Sequence, residues 1–385
     1  MEKIVAFIPV RGGSKSIPLK NIKLINGRPL VYWTTFAAST CPFIDEVFVA
    51  TDDKNIVSAV NEFGLNKVKV IGRSASSASD TASTESAMLE FAEQHNFDHI
   101  VLIQATSPML QADDLTKGIE LYQQENVDSV LSVVRQKKFV WKEHNGYVEP
   151  SNYDCYHRPR RQEFEGYLVE NGAFYITSKK LLLKTQNRIS GRIKAVEMKE
   201  ESYFEIDEPS DWVVVENLMK NKIEKANQRI PIKMLLTDCD GVLTDGGMYY
   251  TENGDEIKKF NTRDGMAFEI LRKKGILTGI ISGEDRKIVR DRADKLKANE
   301  CHVGIKDKLK VVKEIAQKYN LCLDEIAYIG DDINDLECMK ACGFSACPCD
   351  AVQEVKRAAK YICRASGGNG VIREIADLFI NHMVH

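Results

Sequence analysis

Short apolar runs alternate with longer amphipathic stretches along the chain. In the first half, the apolar runs are residues 4–10, 47–51, 99–105 and 129–134. The stretches between them, such as 29–39 and 84–95, carry apolar residues at helical spacing. Short apolar runs are typical of buried strands, and the longer periodic stretches are typical of helices. This alternation predicts an α/β fold with a largely parallel sheet.

A second series of the same kind begins after residue 230. Its strand-like runs are residues 233–238, 276–282 and 325–330, and its helix-like stretches include 265–274 and 308–318. Between the two series, residues 212–227 have the pattern of a helix, and the polar stretch 221–231 contains a natural boundary. The sequence therefore predicts two α/β domains, residues 1–228 and 229–385.

Composition and charge exclude several classes of protein. Of the 385 residues, 43% are hydrophobic and 28% are charged, which is the balance of a globular protein and not of a disordered or fibrous one. The 53 basic and 56 acidic side chains give a formal charge of −3, too near neutral for a chain whose main partner is nucleic acid or an anionic membrane. No apolar run approaches the roughly 18 residues that a membrane span needs.

The start of the chain and the cysteines predict a location. The first residues reach Arg11 and two glycines too soon for a signal peptide, so we expect a cytoplasmic protein. The ten cysteines are scattered without a CxxC pair, which favours reduced thiols. A zinc site near Cys347 and Cys349 is a minor alternative.

The first apolar run continues directly into the loop RGGSKSIPLKN, residues 11–21. This loop offers two glycines, a hydroxyl and three cations, which are Gly12, Gly13, Ser14, Arg11, Lys15 and Lys20. Backbone N–H groups of such loops bind anions, and flanking Lys or Arg supply the opposing charge, so the loop suits a polyphosphate. It is not a P-loop, because GxxxxGK[ST] is absent. A basic surface turn remains the alternative on these residues alone.

Seven further motifs follow this loop as far as residue 212. They are ATDD (50–53), Arg73, SDTAST (79–84), IQATSP (103–108), RPRRQ (158–162), ENGAFY (170–175) and EIDEPSDW (205–212). In this order they resemble the signature of the cytidylyltransferases that activate nonulosonic (sialic) acids. The pair RPRRQ and ENGAFY resembles in particular the subgroup that contains the animal CMP-sialic acid synthetases. The resemblance implies a Rossmann-like nucleotidyltransferase domain with CTP as co-substrate.

The same resemblance implies roles for individual residues. It assigns to CTP the residues Arg11, Gly12, Gly13, Ser14, Lys20 and Asn21, with Arg73 and Ser79 near the cytosine. It assigns to the sugar acid Gln104, Arg161, Tyr167 and Asn171, and the fork of Arg161 suits its carboxylate. The implied reaction is attack of the anomeric hydroxyl on the α-phosphorus of CTP with release of pyrophosphate. Arg11 and Lys20 would neutralise charge in that step.

The motif EID places two carboxylates, Glu205 and Asp207, one residue apart. On a strand-like stretch both would point to the same side. Two oxygen donors of this kind can hold Mg²⁺ against a triphosphate. Relatives usually have Asp-Ile-Asp here, and Glu205 departs from that pattern by one methylene. A solvated acidic strand end is the alternative on pattern alone.

Acidic residues also cluster after the strand-like runs of the second half. The stretch TDCDGVLTD (237–245) places Asp238 and Asp240 on one side of a strand end, where two carboxylates can act as nucleophile and as acid and base. A calcium loop is excluded, because Gly241 occupies the fourth position and not the sixth. Ser282, Lys308 and Asp331 lie at the ends of later strands or starts of helices, where open α/β sheets place their sites.

This order of motifs resembles the haloacid dehalogenase superfamily of phosphatases. The resemblance implies Asp238 as nucleophile, Asp240 as general acid and then base, and Ser282 and Lys308 as phosphate-binding residues. It implies that Asp331, Asp238 and the Asp240 carbonyl bind Mg²⁺. The insert 246–261 reads as a β-hairpin, and it resembles, with GGNGVIREI (367–375), the small capless tetrameric phosphatases of sugar-acid phosphates. Glu284 and Lys295 resemble the substrate-binding pair of the nonulosonate 9-phosphate phosphatases.

These resemblances lead to two hypotheses. The first is a bifunctional enzyme that removes the 9-phosphate from a nonulosonic acid and then transfers CMP from CTP to the free acid. The alternative is a monofunctional CMP-sialic acid synthetase whose C-terminal domain is a tetramerisation scaffold. Either way we expect a homotetramer with Mg²⁺ at its sites, small-molecule substrates, and no nucleic acid or membrane partner. Deaminated neuraminic acid and N-acetylneuraminic acid both remain open as the preferred sugar.

Overall fold

The computed structural model describes residues 2–14, 16–74, 77, 82–227, 232–252 and 256–380. The contacts between residues divide the chain into two units, Met1–Leu218 and Met219–His385. The predicted boundary near residue 228 falls outside the described residues and stays a prediction. Both units are α/β structures, as the alternation of apolar runs predicts.

The first unit is built on a seven-stranded sheet, counted over the described residues. Its strands and the shorter hairpin strands are β1 (Ile4–Pro9), β2 (Leu24–Ile25), β3 (Arg28–Pro29), β4 (Glu46–Thr51), β5 (Val68–Gly72), β6 (His99–Ile103), β7 (Ser129–Gln136), β8 (Trp141–His144), β9 (Tyr147–Pro150), β10 (Tyr167–Ser178) and β11 (Ile193–Met198). The order in the sheet is β11-β7-β10-β6-β1-β4-β5. Among the described strands of this sheet, only β10 runs antiparallel to its neighbours. The predicted, largely parallel sheet is confirmed.

Helices cover both faces of this sheet. They are α1 (Leu30–Thr40), α2 (Lys54–Asn61), α3 (Thr84–Gln94), α4 (Ala112–Tyr122), α5 (Lys179–Thr185) and α6 (Pro209–Asn227). In β1, Ala6 and Ile8 join one buried cluster, whereas Val5 and Phe7 join the cluster on the opposite face. Burial on both faces explains why the strands of a parallel sheet read as continuous apolar runs.

The start of α6 was predicted three residues too late. The helix begins at Pro209, which has no N–H to leave unpaired and therefore suits a first helical position. Asp211 accepts hydrogen bonds from the N–H groups of Asp207 and Glu208, at 3.0 and 2.7 Å. The apolar periodicity begins only at Trp212, so the pattern did not include this polar first turn.

An exposed hairpin, β8 with β9, was not predicted from the sequence. The two short strands pair in an antiparallel register with Trp141 opposite Pro150. Their turn is Asn145-Gly146, with φ of 50° and 80° at the two residues. Asn-Gly with left-handed φ at both positions is a strong local hairpin signal, and this signal could have identified the element.

The second unit contains a six-stranded sheet in which all described strands are parallel, in the order β16-β15-β12-β17-β18-β19. Its strands and those of a separate hairpin are β12 (Met234–Thr237), β13 (Tyr249–Tyr250), β14 (Glu256–Ile257), β15 (Leu277–Ile281), β16 (Glu300–His302), β17 (Ile326–Ile329), β18 (Phe344–Cys347) and β19 (Tyr361–Ile362). Its helices are α7 (Thr262–Lys273), α8 (Lys287–Leu296), α9 (Lys308–Lys318), α10 (Leu336–Ala341), α11 (Gln353–Ala358) and α12 (Val371–Ile380).

The hairpin predicted within residues 246–261 is confirmed by the pairing of β13 with β14. All ten cysteines lie among the described residues, and each of them is a free thiol. In the part of the chain that the structure describes, no helix is both long and apolar enough to cross a membrane.

A buried carboxylate at the edge of the second sheet predicts a pH-dependent stability. Glu300 accepts hydrogen bonds from Lys318 Nζ at 2.6 Å and from the Tyr319 hydroxyl at 2.7 Å, and its other oxygen lies 2.8 Å from His302 Nε2. Burial raises the pKa of Glu300, but these bonds outweigh burial and leave the pKa below its usual value. The carboxylate therefore stabilises the fold above the unfolded pKa, and this contribution is lost as the pH falls through the folded pKa.

We expect Glu300→Gln to destabilise the protein by about 1–2 kcal/mol at pH 7, because charged hydrogen bonds are lost and their partners are partly exposed. The difference from wild type should shrink as the pH falls below the usual glutamate pKa. Thermal unfolding between pH 3 and pH 7 measures this, with Glu314→Gln on the exposed side of α9 as control. A difference independent of pH would contradict the prediction.

Candidate active sites

The carboxyl ends of the parallel strands in the first unit carry most of the predicted nucleotide-binding residues. Arg11 follows β1, and the backbone carbonyl of Arg11 accepts a hydrogen bond from Asn21 Nδ2 at 3.0 Å. Lys20 lies in the adjoining 3₁₀ turn, with Nζ 2.7 Å from the Ile206 carbonyl and 3.3 Å from Asp207 Oδ1. The loop 11–21 and the EID segment therefore meet, although 185 residues separate Lys20 from the first residue of that segment in the sequence.

The glycine loop is held against the end of β4. The N–H of Gly12 donates to Asp52 Oδ1 at 3.2 Å. A Cβ on Gly12 would overlap the carboxylate of Asp53, which accepts from the first N–H groups of α2. Gly13 has open space around its Cα, and the hydroxyl-bearing Ser14 follows it. Only glycine at residue 12 allows this close approach, whereas Gly13 leaves room for a ligand.

Arg73 follows β5 at the same edge of the sheet. Burial lowers the pKa of Arg73, two nearby carboxylates raise it, and the positive charge of Arg11 lowers it again. Its Nη2 donates to the Ser77 carbonyl. The carboxylates of Asp52 and Glu90 act more strongly on this pKa than Arg11 does, so charges of both signs lie close together at this end of the sheet. Ser79, the other residue expected near the cytosine, and Lys15 of the loop lie outside the described residues.

The EID segment is not a strand, which corrects the sequence-based interpretation. Residues 204–207 follow a 3₁₀ turn, and Ile206 anchors them with its buried side chain and with its N–H, which is bonded to the Thr106 carbonyl at 2.9 Å. This anchor leaves Glu205 partly buried on one side of Ile206 and Asp207 exposed on the other. Burial and the charge of Asp207 raise the pKa of Glu205 to about 7.

The residues expected to bind the sugar acid are divided in the structure. Gln104 directly follows β6, and Tyr167 begins the antiparallel neighbour β10, so both lie at the same end of the strands. Arg161 lies in the exposed loop that precedes β10. Asn171, in contrast, is only 1% exposed, and its Nδ2 donates to the Ser202 carbonyl and hydroxyl at 3.2 and 3.1 Å. These bonds hold Asn171 against the backbone at Ser202, and its Oδ1 has no hydrogen-bond partner among the described residues.

In the second unit, Asp238 follows β12 and forms a buried ion pair. Lys308 Nζ lies 3.0 Å from Asp238 Oδ1 and 2.7 Å from Asp335 Oδ1, and the side chains of Lys308 and Asp335 have no exposed surface. Asp335 also accepts hydrogen bonds from the Tyr328 hydroxyl at 2.8 Å and from the N–H of Asp331 at 3.1 Å. Asp335 therefore holds Lys308 beside Asp238, a role that we did not assign to it from the sequence.

Three carboxylates crowd together at this point. Ligand atoms of Asp238, Asp331 and Asp335 lie within 4.8 Å of one another. Burial and then the charges of Asp238 and Asp335 raise the pKa of Asp331 to about 8, and its Oδ1 has no hydrogen-bond partner among the described residues. Carboxylate oxygens are preferred Mg²⁺ ligands, so the donor set fits a divalent cation. Since the oxygens of Asp335 are already bonded, Asp238 and Asp331 are the donors available.

Gly241 explains the glycine of the DxDG motif. Its φ is 83°, and a Cβ there would overlap the carboxylate of Asp331. The loop after β12 therefore turns tightly enough to place Asp238 and Asp331 side by side, which no other residue type would allow without strain.

The second aspartate of the motif has a partner that the sequence analysis missed. Lys258 Nζ lies 2.6 Å from Asp240 Oδ1, and the side chain of Lys258 has no exposed surface. Thr244 Oγ1 donates to the same oxygen at 3.3 Å. Lys258 lies just after β14, in the stretch KKFN that ends the predicted hairpin 246–261, and no spacing rule connects it with Asp240. The only sequence signal for this contact was a lysine within the apolar–polar alternation of that stretch.

Ser282 and Glu284 lie before the start of α8, whereas Lys295 lies near its end. Ser282 directly follows β15, and its hydroxyl accepts from the N–H of Glu284 at 3.2 Å. Lys295 comes eight residues after Lys287, which is about 12 Å along the helix. Within one chain, Glu284 and Lys295 are therefore at opposite ends of α8.

These observations define an α/β protein with a basic, glycine-containing loop after a strand of one sheet and an acidic cluster around a buried lysine at the strand ends of the other. Comparison with known families agrees with this class: the family described as Cytidylyltransferase matches residues 5–233, and the family described as haloacid dehalogenase-like hydrolase matches residues 303–375. The chain belongs to the cytidylyltransferase family and carries a haloacid dehalogenase-like region in its second unit.

Relatives match the whole chain and its second unit separately. The chain is 37% identical over 385 residues to N-acylneuraminate cytidylyltransferase A of Danio rerio, covering 97% of this chain and 88% of the relative. It is 35% identical over 162 residues to 3-deoxy-D-manno-octulosonate 8-phosphate phosphatase KdsC of Haemophilus influenzae, covering 42% of this chain and 87% of that protein. A solved octulosonate phosphatase from Moraxella catarrhalis, with magnesium, phosphate and KDO, is 32% identical at a TM-score of 0.40, covering 42% of this chain and 92% of that one.

The interaction between Glu205 and Asp207 in the first unit can be tested through the pKa of Glu205. We expect Asp207→Asn to lower the pKa of Glu205 from about 7, because the charge of Asp207 raises it. Burial should keep the pKa above the usual glutamate value. Carbon-13 NMR of the Glu205 carboxyl, in the presence of a chelator, measures both values. The exposed Glu201→Gln should leave the pKa unchanged, and an unshifted pKa in Asp207→Asn would show that the two carboxylates do not interact.

Proposed function

We propose that this chain is a bifunctional enzyme. Its second domain removes the phosphate from a nonulosonic acid 9-phosphate, and its first domain couples the free acid to CMP from CTP. The observation that carries the proposal is the intact cluster of Asp238, Lys308 and Asp331 in a chain whose full-length relatives include an N-acylneuraminate cytidylyltransferase. A domain kept only as a scaffold has no need of a buried lysine between two carboxylates, because such a cluster is costly to bury.

The phosphatase step uses the groups at the carboxyl ends of the strands in the second sheet. Asp238 attacks phosphorus, Lys308 neutralises charge on the phosphoryl oxygens, and Ser282 binds one of these oxygens. Asp240 protonates the leaving oxygen and later deprotonates water. Asp238, Asp331 and the Asp240 carbonyl would hold Mg²⁺, which when bound offsets the repulsion between phosphate and the carboxylates. Glu284 would accept hydrogen bonds from sugar hydroxyls.

The transferase step uses the groups at the carboxyl ends of the strands in the first sheet. The loop at Gly12 and Gly13 binds the triphosphate, with Arg11 and Lys20 as its counter-charges, and Arg73 lies beside the cytosine. Arg161 is the proposed partner of the sugar carboxylate. Glu205 and Asp207 would hold a second Mg²⁺ against the triphosphate, which suits the raised pKa of Glu205 because a cation favours the ionised carboxylate. Catalysis there is mainly positioning and charge neutralisation.

We also propose a homotetramer in the cytoplasm. The hairpin of β13 and β14 exposes Tyr249, Tyr250 and Ile257 by more than half of their surface, and the hairpin of β8 and β9 exposes Tyr147 by 82%. Aromatic side chains exposed together on projecting hairpins favour contact with further copies. A second copy could also supply Lys295 to a neighbouring Glu284, which one chain alone does not do.

The decisive experiment separates the two activities. We expect Asp238→Asn to abolish phosphate release from nonulosonic acid 9-phosphates while CMP transfer to the free acid continues, because the nucleophile lies in the second unit. Arg11→Ala should do the reverse. Phosphate release and CMP-sugar formation, each measured with Mg²⁺ and with both candidate sugars, test this and rank the substrates.

Two results would contradict the proposal. If wild type releases no phosphate from either 9-phosphate but forms the CMP-sugar, the second domain is a scaffold and the enzyme is monofunctional. If either variant loses both activities, the assignment of the residues to separate sites fails.

A further inference from the structure

One lysine of the second unit is completely buried although it belongs to none of the phosphatase motifs. Lys258 follows β14 by one residue, and its side chain has no exposed surface. Its Nζ lies 2.6 Å from Oδ1 of Asp240, the proposed general acid. A lysine is almost never fully buried unless it is paired. Burying this charge costs free energy, and the charge lies beside the proposed general acid. This combination indicates a role in the reaction.

The two oxygens of Asp240 are not equivalent in the structure. Oδ1 accepts hydrogen bonds from Lys258 Nζ at 2.6 Å and from Thr244 Oγ1 at 3.3 Å. Oδ2 is buried and has no hydrogen-bond partner among the described residues. Hydrogen bonds therefore hold Oδ1 in place, whereas Oδ2 is available to exchange a proton with a ligand.

The segment that carries Lys258 is anchored beside the catalytic loop. Asn261 Nδ2 donates to the Gly368 carbonyl at 3.1 Å. Three residues later, the buried carboxylate of Asp264 accepts from the N–H groups of Gly370 and Arg373, at 3.2 and 3.0 Å, at the start of α12. A side chain that must fix another within a fraction of an ångström needs support of this kind.

From this geometry we propose that Lys258 is the positioning residue of the general acid: it fixes Asp240 so that Oδ2 faces the leaving oxygen of the phosphate ester. The inference rests on the phosphatase activity proposed above. Thr244 also donates to Oδ1 of Asp240, but its hydrogen bond is longer and its hydroxyl carries no charge. Lys258 therefore supplies the charged contact that sets the carboxylate orientation.

The chemistry assigned to Oδ2 balances in two steps. First, an oxygen of Asp238 bonds to phosphorus, the bond from phosphorus to the ester oxygen breaks, and protonated Oδ2 of Asp240 gives its proton to that oxygen. Second, Oδ2 takes a proton from water as the water oxygen bonds to phosphorus and the bond to Asp238 breaks, which releases inorganic phosphate. A misdirected Oδ2 impairs the first step most when the leaving group is a strong base.

The test compares two phosphate esters. An alkyl ester, the 9-phosphate of a nonulosonic acid, leaves as a strongly basic alkoxide, whereas p-nitrophenyl phosphate leaves as a weak base that needs no proton. General acids contribute roughly 10²–10⁴-fold, so we expect Lys258→Met to lower kcat/KM for the alkyl ester by about 100-fold or more, and for the aryl ester by less than about fivefold. The parameter kcat/KM is chosen because it reports the steps up to departure of the leaving group.

Three further variants make the comparison specific. Lys259→Met removes the neighbouring, exposed lysine and should change neither ester by more than about twofold, since surface substitutions are usually neutral. Lys258→Arg keeps the charge and should recover part of the alkyl activity. In an Asp240→Asn background, Lys258→Met should cause almost no further loss, because two residues that act through one group are not additive.

Equal losses for the two esters in Lys258→Met, with the thermal midpoint unchanged, would overturn the positioning role and leave the phosphatase intact. Full alkyl activity in Lys258→Met would overturn it as well. Should Lys258→Met not fold, Lys258→Arg decides the question by the same ratio of the two esters. A wild-type enzyme that hydrolyses neither ester would instead overturn the proposed phosphatase function, and this inference with it.

Discussion

Burial of both faces of a parallel sheet is the constraint on which both units depend. When helices cover the two faces, the carboxyl ends of the strands are the places where loops can gather polar groups. In the first unit these ends carry Arg11, Arg73 and Gln104, and in the second they carry Asp238, Ser282 and Asp331. Residues far apart in the chain therefore meet at one edge for a reason of topology, before any particular side-chain contact forms.

In both units, groups of like charge are held close together at the carboxyl ends of the strands. Burial and the charge of Asp207 raise the pKa of Glu205, and burial and the charges of Asp238 and Asp335 raise the pKa of Asp331. Such perturbed groups are frequent at functional sites, where the fold holds charges in place for a partner.

The second unit shows how buried charges are kept compatible with a stable fold. Lys308 lies between Asp238 and Asp335, and Lys258 lies against Asp240, so each buried cation has a carboxylate within 3.0 Å. Pairing of this kind offsets desolvation only when the geometry is good and the other lone pairs are satisfied. Asp335 meets that condition, because its carboxylate accepts from Lys308, from the Tyr328 hydroxyl and from the N–H groups of Asp331 and Asp332.

The sequence by itself determined the alternation of strands and helices, the hairpin at 246–261 and the residues of the two sheet edges, because periodicity and motif spacing are local properties of the chain. It did not determine how those residues are held. Asn171 donates to Ser202, Lys295 lies near the end of α8, and the EID segment is held by Ile206 outside any strand. It also did not connect Lys258 with Asp240 or Asp335 with Lys308. Those pairings depend on how segments distant in sequence pack, and only the tertiary structure decides which buried charges find each other.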